Sequence, residues 1–116
     1  MMLWNHRLFL LTGDVKYMDV FERTLFNGFL PGISLEGDTY FYPNPLESNG
    51  IYEFNHGMIK RSPWFDTSCC PVNIVRILPS LSGYIYSIKD QDIFINLFIG
   101  NTAELDLNGK KIKVYS

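Results

Sequence analysis

The sequence has 116 residues, 47% hydrophobic, 16% aromatic and 19% charged, with 10 Lys+Arg against 12 Asp+Glu. Few charges and many aromatics exclude a disordered chain, and the slightly acidic balance excludes a nucleic-acid partner, which requires a basic face. No apolar run approaches the roughly 18 to 20 residues of a membrane span, and no signal-peptide pattern opens the sequence, so no membrane partner is expected.

Residues 1–11 are helical in period, with Trp4, Leu8 and Leu11 on one stripe and Asn5, His6 and Arg7 off it. No capping residue precedes them, so the sequence starts inside a helix. Gly13 supplies a stop and Asp14 an N-cap for a second helix over 15–29, whose apolar face is Tyr17, Val20, Phe21, Leu25 and Phe29. Pro31-Gly32 ends it, giving an antiparallel helical hairpin. Residues 33–35 and 39–42, around Glu36-Gly37-Asp38, predict a short β-hairpin, which Pro43-Asn44-Pro45 stops. A polar loop through His56-Gly57, expected to be exposed and mobile, leads by Trp64-Phe65 to Cys69-Cys70.

A third helix is expected from Pro71, with Ile74, Val75, Ile77, Leu78 and Leu81 inward and Gly83 at its end. Pro79 should kink or shorten it, because proline lacks the N–H that would reach the Val75 carbonyl. From residue 84 the period falls to two. Strands are predicted over 84–88, 93–99, 104–107 and 111–114, the last two around Asn108-Gly109, the strongest short hairpin signal in the sequence. A helical part over 1–83 therefore gives way to antiparallel strands over 84–116, an α+β order of elements. Each part leaves an apolar face bare, so the 116 residues alone should aggregate or oligomerise.

Cys69-Cys70-Pro71 is the most informative triplet. Two neighbouring cysteines cannot form a disulfide framework, and a bridge between neighbours is poor geometry. They are expected as two thiols, or as two thiolates on a metal. Lying before a helix N-terminus they should ionise readily, yet they read equally as two small buried hydrophobes. A tetrahedral zinc ion needs four ligands, and no CxxC or HxxxH motif supplies the others. His6, His56 and Glu22 read as solvated side chains. Tyr40-Phe41-Tyr42 and Trp64-Phe65 suit either packing or a sugar ring, which presents C–H faces edged by hydroxyls.

Taken in order, Trp4-Asn5-His6-Arg7-Leu8-Phe9, Gly13-Asp14, Tyr17, the 22–28 segment Glu-Arg-Thr-Leu-Phe-Asn-Gly, Tyr42-Pro43-Asn44-Pro45-Leu46-Glu47, Trp64-Phe65, Cys69-Cys70-Pro71-Val72-Asn73 and Gly83-Tyr84 resemble glycoside hydrolase family 127, the β-L-arabinofuranosidases. The resemblance implies the C-terminal part of an (α/α)6 toroid over 1–83 and the beginning of a β-sandwich over 84–116. It implies a retaining hydrolase that removes β-L-arabinofuranose, or a related sugar, from the non-reducing end of an arabinose-containing glycan. Cys69 would be the nucleophile, Cys69 and Cys70 two of four zinc ligands, and Tyr42 and Glu22 substrate-binding residues. The family's Glu-x-Cys ligand pair and its acid/base glutamate match positions upstream of Met1. Without them, the alternative is a non-catalytic carbohydrate-binding or scaffold remnant of the same fold, inactive as this segment.

Overall fold

A computed structural model describes residues 1–116. The chain forms two compact units, Met1–Leu78 and Pro79–Ser116. In the first, α1 (Met2–Thr12) and α2 (Lys16–Thr24) pack together as the helical hairpin read from the sequence. Gly13, at φ 72°, closes α1 in the left-handed region, where a glycine carries no Cβ penalty. The N-cap of α2 is Val15 and not the expected Asp14, whose Oδ1 accepts the Lys16 N–H at 3.1 Å from one residue further back.

The buried face of α1 differs from the predicted stripe. Met2, Asn5 and Phe9 point inward, while Trp4 is 65% and Leu11 81% exposed. Apolar residues ring this helix, so periodicity alone does not choose a face. Asn5 is tolerated inside because its Nδ2 donates to the Met1 carbonyl at 3.0 Å. His6, expected in solvent, is partly buried near the Phe21 ring, and this burial lowers its pKa. In α2, Met18 and Phe21 are buried and Val20 is turned outward.

The second helix does not run unbroken to residue 29. It widens into a π-helical turn over Leu25–Phe29 and tightens into a 3-10 turn over Leu30–Gly32. Pro31 has no N–H to continue the ladder, which accounts for the wind-down. The predicted short hairpin shrinks to single bridges, Ile33 to Tyr40 and Tyr40 to Ser62, the latter unforeseen.

Pro71 precedes α3 (Val72–Ile77) with φ −61°, the value its ring imposes. The helix is only six residues long and becomes a 3-10 turn over Leu78–Ser80, as Pro79 predicts. Ile77 is buried but Val75 is 64% exposed. Gly83 does not end a helix; it lies inside α4 (Ser82–Ile85), which takes Tyr84 and Ile85 out of the predicted strand.

The second unit contains two separate antiparallel hairpins. The first pairs β1 (Tyr86–Lys89) with β2 (Asp92–Ile95), shorter than predicted; beyond it the Asn96 N–H still donates to the Ile85 carbonyl and Asn96 Nδ2 to Ser87 Oγ, both at 2.8 Å. In the second, β3 (Thr102–Leu107) and β4 (Lys110–Tyr115) turn through Asn108 at φ 55° and Gly109 at φ 83°, the two positive angles of a type I′ turn. Leu105 faces Ile112 and Ala103 faces Val114, giving the strand pair one apolar side. No helix is long and apolar enough to cross a membrane.

Candidate active site

Tyr42 and Cys69, 27 positions apart in sequence, meet in the first unit: the Tyr42 hydroxyl lies 2.5 Å from Cys69 Sγ. Both cysteines are exposed free thiols, so the reading of them as buried hydrophobes is overturned. Their Sγ atoms are 3.8 Å apart. The pair is held at the start of α3 by the Cys70 carbonyl, which accepts the Asn73 N–H at 3.0 Å and Asn73 Nδ2 at 3.1 Å. Ser68 Oγ donates to the Phe65 carbonyl at 2.9 Å and shapes the preceding turn.

Aromatic rings surround the Tyr42 phenol. Phe65 meets it edge-on at 5.2 Å, and the His56 ring lies 4.3 Å from it and 5.3 Å from Phe65. Phe65 is itself buried and packs behind the Tyr42 ring, whereas Trp64 packs edge-on against Tyr40 at 6.1 Å. Phe41 is used elsewhere, between Phe54 and the Arg61 guanidinium. His56, read from the sequence as a solvated loop residue, is exposed but carries this ring contact, with its backbone at φ 54° and Gly57 following at φ 81°.

The electrostatics follow from the contact. A hydroxyl donating to sulfur favours the thiolate, so the Tyr42 hydroxyl, and after it Cys70, hold the Cys69 thiol below its ordinary value against a smaller opposing effect of desolvation. Reciprocally, the bond to Cys69, followed by desolvation, pushes the Tyr42 phenol well above its ordinary range. Tyr42→Phe removes the donor, so the pH profile of Cys69 alkylation by iodoacetamide in chelator-treated protein should move to higher pH. Alkylation at neutral pH should slow; an unchanged profile would disprove the donor role.

The two sulfurs fit two corners of a zinc site. Ligands about 2.3 Å from a tetrahedral ion stand about 3.8 Å apart, which is the separation found here. No third His, Cys, Asp or Glu joins them in a cluster. Glu22 lines a groove with Asp19, Arg23, Phe26 and Asn27. A groove beside the thiols is lined by Tyr42, Asn44, Cys70 and Asn73, with Asn44 Nδ2 bound to the Gly28 carbonyl at 3.0 Å. Sequence reasoning missed Asn55, which is buried and accepts the Tyr42 N–H at 2.7 Å; only the loop read through His56-Gly57 lies beside it.

Residues 1–83 match the profile of the β-L-arabinofuranosidase GH127 catalytic domain. A non-reducing end β-L-arabinofuranosidase from Bifidobacterium longum subsp. longum is 42% identical over 95 residues, covering 77% of this chain and 14% of that protein. Among solved structures, a GH127 β-arabinofuranosidase is 51% identical with a TM-score of 0.84, over 97% of this chain and 17% of that one. The GH127 β-L-arabinofuranosidase Ara127N-Se from Geobacillus stearothermophilus T6 is 34% identical with a TM-score of 0.79, over 98% of this chain and 19% of its own. The chain thus spans less than a fifth of each of these relatives.

Proposed function

The chain belongs to the GH127 β-L-arabinofuranosidase family, and from that premise we propose that it carries the nucleophile segment of a retaining glycoside hydrolase. The substrate is an arabinose-containing glycan, cut at a non-reducing-end β-L-arabinofuranose or a related sugar. One observation carries the reading: an exposed Cys69 thiol is held by a tyrosine hydroxyl that favours its ionised form. Residues 1–83 are the C-terminal part of an (α/α)6 toroid, and residues 84–116 begin a β-sandwich.

In this mechanism Cys69 Sγ attacks the anomeric carbon as the bond to the leaving oxygen breaks, and a thioglycosyl enzyme forms. The departing oxygen takes its proton from an acid/base glutamate outside these 116 residues; the resulting carboxylate then takes a proton from water, which attacks the anomeric carbon, breaks the C–S bond and releases the sugar with net retention. Cys69 and Cys70 would hold a zinc ion, which when bound keeps the sulfurs deprotonated at neutral pH. Tyr42 orients Cys69 and, with the exposed His56, offers ring surface to the C–H face of the sugar, while the buried Phe65 backs the Tyr42 ring. Glu22 is assigned to the substrate pocket by its place in the family motif. The scaffold alternative draws no support from a thiol so arranged.

The test is release of arabinose from an aryl β-L-arabinofuranoside by the full-length protein. We expect turnover, an at least roughly tenfold loss on chelation, and recovery with zinc. Absence of release would sink the substrate assignment, and full activity after verified metal removal would sink the zinc assignment.

A further inference from the structure

Asn55 is fully buried, an uncommon place for an asparagine. Its amide makes three hydrogen bonds, all to backbone. Oδ1 accepts the Tyr42 N–H at 2.7 Å, and Nδ2 donates to the Lys60 carbonyl at 2.7 Å and the Tyr40 carbonyl at 3.3 Å. At Tyr42 the acceptor is this side chain and not a backbone carbonyl. The Tyr40 N–H is taken by the Ser62 carbonyl and the Phe41 N–H by Gly32, both at 2.8 Å, and Asn55 Oδ1 supplies the next acceptor. The residue that follows, His56, lies against the Tyr42 ring. Tyr42 is therefore fixed at its main chain by Asn55 and at its ring by His56 and Phe65, with its hydroxyl on Cys69 Sγ.

We infer that Asn55 is a positioning residue, which sets the Tyr42 hydroxyl against Cys69 by clamping the Tyr42 backbone. The inference rests on the assignment of Tyr42 and Cys69 to the active site.

The experiment is a double-mutant cycle in the full-length protein, reading kcat and KM separately on the aryl arabinofuranoside. Asn55→Ala is expected to lower kcat about tenfold with a smaller change in KM, because displacement of a catalytic contact costs rate more than affinity. In a Tyr42→Phe background the same substitution should cost less than about twofold, since the hydroxyl it positions is already gone. Asn55→Asp is isosteric; burial against the Lys60 and Tyr40 carbonyls keeps its carboxyl protonated, so it retains the Oδ1 acceptor and one donor and should recover part of the kcat lost in Asn55→Ala. Additive losses in the cycle, or a folded Asn55→Asp no better than Asn55→Ala, would overturn the inference. So would failure of both variants to fold, which would assign Asn55 to stability alone. Cys69→Ser separates the two levels: if it is active, the active-site reading fails; if it is inactive and the cycle is additive, only the role of Asn55 fails.

Discussion

Cys69→Ser is expected to lower turnover of the full-length protein on an aryl β-L-arabinofuranoside by about a thousandfold or more. A serine hydroxyl is not ionised at neutral pH, whereas Cys69 sits in a setting that favours its thiolate. The closest polar neighbour, the Tyr42 hydroxyl, acts as a donor and cannot serve as a base to activate the serine. Because Cys69 is exposed, the exchange should leave the melting temperature within a few degrees of the parent. Rate loss without loss of fold is the diagnostic combination, and near-parental turnover would remove Cys69 from the nucleophile role.

Phe21→Ala should cost about 3–5 kcal/mol of stability, read by chemical denaturation. Phe21 is fully buried at the α1–α2 hairpin, so truncation loses its transfer free energy and opens a cavity that two packed helices close only in part. Leu35→Ala is the internal contrast. Leu35 is as exposed as in an extended chain, at 103%, and its removal should change stability by less than about 0.5 kcal/mol. Similar effects at the two positions would mean that the hairpin is not the supporting core.

The sequence by itself determined the features set by local covalent geometry. Gly13 and Asn108-Gly109 accept positive φ, Pro71 starts a helix and Pro79 breaks one, and the change of period near residue 83 announces the strands, which begin at Tyr86 after α4. The ordered motifs also carried the family. Only the tertiary structure decided which side of α1 is buried, because its apolar residues surround the axis and the choice depends on what packs against it. The same holds for the site. Cys69 is an exposed thiol in contact with a tyrosine 27 positions away, and Tyr42 in turn is bonded to an amide 13 positions beyond it. Such contacts have no local signal, since hydrogen bonds between distant segments are fixed by how the loops return across one another, not by the residues on either side.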